Sequence, residues 1–221
     1  MKRTTLLIAM SAAAILAALI IMIALASLGG DEQGVHTSLR GALDGILRLQ
    51  TGAGTTGPLR VPGIEDPDRL LDLLATALPP MAAVIATLTQ AFNLWLAAQV
   101  VRLSGRLRRP WPDLTTMAFP TASAALLPIA VAGTFIPGLP GLFASLFAAT
   151  LAVAFAIIGF AFVHAMTRPL SGRPVLLTGT YLLVGIVGWP ALIMTLVGLL
   201  ETLFRWRERS QKRGPPIVPE T

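Results

Sequence analysis

Cysteine is absent from the 221 residues, and charge is scarce: Asp, Glu, Lys and Arg together make 13% of the chain. The first absence excludes disulfides, cysteine-ligated iron–sulfur clusters and thiolate catalysis, and says nothing about compartment. The second excludes an ordinary water-soluble enzyme, in which about 25% of residues are charged. The only histidines are His36 and His164, and the only tyrosine is Tyr181. There is no glycine–lysine phosphate loop, no HExxH, no GxSxG and no carboxylate–histidine cluster to move protons. The sequence therefore predicts no enzyme, no metal and no cofactor.

What the chain has is apolar residues, 54% of the total, with a mean hydropathy of +0.74. They are gathered into long runs, the mark of a polytopic membrane protein whose first partner is the lipid bilayer. The expected fold is all-α: a transmembrane bundle of five to six helices plus one extramembrane amphipathic helix. Residues 1–209 should form one membrane-embedded domain and 210–221 a flexible cytoplasmic tail. A net charge of +6 might point to nucleic acid. Basic loops facing the cytoplasm explain it better, and no nucleic-acid partner is expected.

The first run, Thr5 to Leu28, follows Lys2 and Arg3. Ala24-Leu25-Ala26 fits a signal-peptide cleavage site, but the run exceeds the usual signal core and suits an uncleaved spanning helix. Residues 29–80 are the long polar stretch. In it Val35, Leu39, Ala42, Leu43, Ile46 and Leu47 recur at helical spacing, predicting an amphipathic helix on the membrane surface or packed on the bundle. Thr51 to Gly63 reads as a loop. Asp66-Pro67 reads as an N-cap with proline at the first helical position. Pro79-Pro80 should kink the next helix, and Met81 to Val101 should cross the bilayer.

Arg102, Arg106, Arg108 and Arg109 then mark a basic loop, with Trp111 as an interfacial anchor. Thr115 to Phe135 is the third expected span and Leu142 to Met166 the fourth. Pro174 to Phe204 would make roughly 46 Å of helix, too long for one upright span. It should turn near Gly188-Trp189-Pro190 into two short halves. Lys2 and Arg3, the 102–109 arginines, Arg168 with Arg173, and the Arg205–Arg213 group then share one side. That arrangement predicts an inner-membrane protein with both termini in the cytoplasm and 29–80 outside.

Polar residues within the runs are the candidate solute site, because each needs a partner away from water. These are Gln90, Asn93 and Trp95 in the second run, His164 in the fourth and Tyr181 in the last. The plainer reading of each is interhelical hydrogen bonding. For Glu201 it is a local pair with Arg205, one turn away. Ala144, Ala148, Ala152 and Ala156 form a ladder at four-residue intervals, beside Gly141, Ser145 and Ala149. Such ladders let helices approach closely, within this chain or against another membrane protein.

Several segments bear a family likeness. Asn93-Leu94-Trp95-Leu96-Ala97, Arg102-Leu103-Ser104-Gly105-Arg106, Phe162-Val163-His164-Ala165 and the closing run from Gly198 to Arg207 resemble domain-of-unknown-function family 2232, the YybS-like predicted bacterial membrane proteins. Members usually carry further helices before the point where this chain begins, so the resemblance implies either a truncated start or a shortened member. It also implies a distant similarity to the substrate-binding components of energy-coupling-factor transporters, hence a solute-binding or uptake role with no active-site residues. The expected function is a transport-related membrane component that binds a small solute. The rival is a scaffold or assembly factor that docks a partner membrane protein.

Overall fold

The computed structural model describes residues 31–52, 54, 57–105, 117–207 and 209, together with Leu19, Ile23 and Ser27. Most of the expected first span, Arg106, Arg108, Arg109 and Trp111 of the basic loop, and the tail beyond 209 lie outside the described residues. The described residues are helical, with no strand among them. The helices are α1 (Glu32–Thr51), α2 (Pro67–Leu103), α3 (Leu126–Gly133) preceded by a 3-10 turn (Thr121–Ala125), α4 (Leu139–Met166), α5 (Arg173–Val187) and α6 (Pro190–Phe204). Two of them, α2 and α4, are long and apolar enough to cross a membrane.

Two compact units share these helices. The first holds the described residues up to Val100 and Ala130–Thr150; the second holds Val101–Ile129 and everything from Leu151 on. In the first unit α1 starts where the sequence places it. Asp31 caps it, accepting the Gly34 N–H on its carboxylate at 2.7 Å. The apolar stripe of α1 packs on the bundle: Val35 is buried with Ala83 of α2 and Leu146 of α4, and Leu39, Leu142, Phe143 and Ala149 close around them. Glu32 accepts the Gly138 N–H at 2.6 Å, tying the start of α1 to the start of α4. Arg40 reaches Asp68 at 2.7 Å and Asp72 at 3.1 Å on the first turns of α2.

Asp66 caps α2 by accepting the Arg69 N–H, with Pro67 in the first helical position, where a missing N–H costs nothing. Pro79 and Pro80 remove two more donors, yet the helix continues across both to Leu103. Among its described residues the third expected span is not one continuous α-helix. Residues 117–120 are irregular, and only a 3-10 turn and eight residues of α3 follow. Pro128 has no N–H for the carbonyl of Ala124, and the positions before it form a 3-10 turn, whose bonds reach back only three residues.

In the second unit the final apolar stretch breaks into α5 and α6, 15 residues each. Gly188 makes the break at φ 77°, a backbone region open to glycine and costly for larger residues. Pro190 opens α6 in its first turn, so the sequence that stops one helix starts the next.

Candidate functional site

The inward face of α6 is built from small and polar residues. Pro190, Thr195, Gly198, Glu201 and Thr202 are buried, while Leu192, Ile193, Leu196, Leu200 and Leu203 are exposed. In water this is the wrong way round. In lipid it is expected, since apolar side chains gain nothing by leaving the hydrocarbon and small ones let backbones meet. Here they do meet. A Cβ added at Gly198 would collide with the Phe155 carbonyl oxygen of α4, and one at Gly159 with the Met194 carbonyl oxygen of α6. Beside this crossing Thr195 donates from its hydroxyl to the Ala152 carbonyl at 3.0 Å.

One turn on from the crossing sits a buried ion pair. Glu201 Oε1 accepts from Arg207 Nε at 2.8 Å and from the Arg207 backbone N–H at 3.3 Å. Arg207 Nη2 donates to the Met117 carbonyl at 2.7 Å, so one guanidinium joins the end of α6 to the segment entering the 3-10 turn. Glu201 Oε2 is buried and accepts no hydrogen bond among the described residues. The expected pair between Glu201 and Arg205 is therefore corrected. Arg205 takes a left-handed conformation, φ 50°, as the C-cap of α6. Its backbone N–H bonds back to the Glu201 carbonyl at 2.8 Å. That reversal of the chain returns Arg207, not Arg205, to the carboxylate.

The five solute-site candidates are divided between the two units. Gln90, Asn93 and Trp95 lie on α2 in the first unit and are exposed. Gln90 and Asn93 make no hydrogen bond to the described residues. They sit in a stripe Ala86, Gln90, Asn93, Ala97, beside the packed face marked by Ala83 and Thr87. At about 100° per residue, Trp95 falls on the other side of the helix. There it stacks on Phe92, ring centroids 5.8 Å apart.

His164 and Tyr181 do meet, in the second unit. Their rings are edge to face at 5.8 Å, and Tyr181 stacks flat on Phe160 at 5.1 Å. His164 Nδ1 lies 2.9 Å from the Phe160 carbonyl. A carbonyl only accepts, so Nδ1 carries a proton and donates it there. The alanine ladder is half-buried along its length. Ala144 lies where a Cβ on Gly133 would approach it to 2.8 Å, and Ala152 supplies the carbonyl to Thr195. Among the described residues no three His, Asp or Glu side chains gather as a metal site.

Sequence reasoning missed Arg207 and the Gly159–Gly198 crossing. The signal for the crossing was available: Thr195, Gly198, Glu201 and Thr202 are the small or polar residues of an otherwise leucine-rich stretch, and they recur at helical spacing. No match was found among curated proteins or among solved structures. The likeness to energy-coupling-factor components thus has nothing to support it. The family model described as "Predicted membrane protein (DUF2232)" matches residues 1–200, and the chain belongs to that family.

Proposed function

We propose that this membrane protein is a docking component, which binds a helix of another membrane protein along the Ala86–Gln90–Asn93–Ala97 stripe of α2. One observation carries the reading: two neighbouring side-chain amides stand exposed on an apolar helix without a partner among the described residues. In lipid no water relieves them, and a helix that answers an amide with an amide gains its hydrogen bonds. Alanines at either end leave room for a close approach. In this reading the chain catalyses nothing. It lies in the inner membrane with 29–80 outside and both termini in the cytoplasm, the last stretch passing out along α5 and back along α6.

The lack of cysteine makes the test direct, because one introduced thiol is the only thiol. Asn93→Cys and Ala97→Cys are expected to cross-link in membranes to one discrete second protein, and Phe92→Cys is not. No discrete adduct at either position defeats the docking reading, and an adduct of twice the chain mass replaces the partner with a second copy of this chain.

A second reading, a small-solute site, rests on His164 and Tyr181. There an imidazole held by its Nδ1 and a phenol stand at one place, beside the stacked Phe160 ring. Solute uptake that survives His164→Ala and Tyr181→Phe together would remove it.

A further inference from the structure

Arg173, the first residue of α5, has a guanidinium with no counterpart among the described residues. No Asp or Glu occurs between Asp113 and Glu201, and Glu201 is already held by Arg207. Arg173 makes no side-chain hydrogen bond or ion pair with the described residues, and its Nε is shielded from solvent with no acceptor. A shielded N–H on a permanent cation needs an acceptor, best an anionic one. The described residues around it supply none. The helix start adds little, since the Arg173 N–H bonds to the Leu170 carbonyl, Pro174 has no N–H, and the Leu176 N–H bonds to the Gly172 carbonyl. Recognition must fall on the side chain.

The surroundings indicate the kind of anion. Met166, Leu170, Val175 and Leu176 are exposed around the turn, Val175 at 79%. The exposed Ser171 brings a hydroxyl. A cation ringed by exposed apolar side chains fits an amphiphile, with phosphate on the guanidinium and acyl chains on the leucines and valine. We infer that Arg173 anchors a phosphate-binding site at the membrane surface, and that its ligand is the phosphate of an anionic lipid headgroup. One arginine at a membrane surface favours an anionic over a zwitterionic lipid by about fivefold.

The test uses the full chain in detergent, with phosphatidylglycerol, phosphatidylcholine or inorganic phosphate added, and bound lipid counted by native mass spectrometry. Wild type is expected to retain phosphatidylglycerol about fivefold over phosphatidylcholine, Arg173→Gln about equally, and Arg173→Lys in between. Arg60→Gln, which removes the same charge from an exposed loop, should leave the preference as it was. Equal retention of both lipids by wild type overturns the site, as does an unchanged preference in Arg173→Gln. A loss in Arg60→Gln as large as in Arg173→Gln reduces the effect to net charge. If millimolar inorganic phosphate displaces phosphatidylglycerol, the site belongs to a free anion, and the lipid assignment is wrong.

Discussion

Replacing Gly198 by alanine adds one methyl group where α4 and α6 come closest. The new Cβ would strike the Phe155 carbonyl oxygen and lie 2.8 Å from the Gly159 nitrogen. Carbon and carbonyl oxygen rest about 3.3 Å apart even in close helix contacts, so the helices must separate by ~1 Å or more. No side-chain rotation relieves this, since every atom involved is backbone. Overpacking of this kind costs ~1–3 kcal/mol, and separation also stretches the Thr195 bond to Ala152, worth ~0.6 kcal/mol in a membrane protein. Against this, alanine in a helix interior gains ~1 kcal/mol over glycine. The steric term wins, and a net loss of about 2 kcal/mol is expected. Gly179 in α5 has nothing within 4 Å of its would-be Cβ, so Gly179→Ala keeps the propensity gain alone. The two glycine-to-alanine variants should therefore differ by about 3 kcal/mol in equilibrium unfolding of the detergent-solubilised protein, followed by helical circular dichroism. Equal stabilities would refute the crossing and the steric argument drawn from it.

Arg207→Leu leaves the buried Glu201 carboxylate uncompensated and should cost ~3–5 kcal/mol, more than Glu201→Gln; the reverse order in the same unfolding assay would mean the pair is not buried. Ala152→Leu should lower detergent stability by ~1–3 kcal/mol, and no change would mean that this face of α4 opens to lipid. Asp68→Asn should matter little, within ~1 kcal/mol, because the Asp68 side chain of the Arg40 pair is 83% exposed and screened. A fluorescent-protein fusion after Arg213 should be bright and an alkaline phosphatase fusion there silent; the opposite pattern would put the C-terminus outside.

Features set by neighbouring residues were legible in the sequence. The α1 stripe, the Asp66–Pro67 start of α2 and the break at Gly188 each depend on periodicity, a cap or one backbone conformation, and all are written within a few positions. Features set by distant residues were not. Arg205 is the obvious partner for Glu201 by helical spacing, and only the left-handed turn at Arg205 itself transfers that role to Arg207. The segment from Thr115 reads as a span softened by Pro120 and Pro128, and nothing in its hydropathy shows where a 3-10 turn gives way to α3. Gly159 and Gly198 are unremarked singly, because a crossing becomes visible only when two helices are set against each other. The candidate solute residues were chosen by polarity, a sound guide to where partners are needed. Polarity does not say which residues meet: within the second unit His164 and Tyr181 do, while within the first Trp95 falls on the other side of α2 from Gln90 and Asn93.

The break at Gly188 leaves α5 and α6 at 15 residues apiece, about 22 Å at 1.5 Å per residue. The hydrocarbon layer of an ordinary bilayer is about 30 Å thick, while α2 and α4 are long enough to exceed it. Under the topology proposed above, in which α5 and α6 cross the bilayer, one protein presents its surrounding lipids with two different demands. Beside the short pair, acyl chains must compress, or headgroups and water must dip toward the helix ends, each at a fraction of a kcal/mol per Å of mismatch. Acyl-chain length then becomes a variable that acts on this fold, with short-chain lipids relaxing the deformation and long-chain lipids increasing it. The glycine that splits the last apolar run therefore ties the protein's stability to the thickness of the membrane around it.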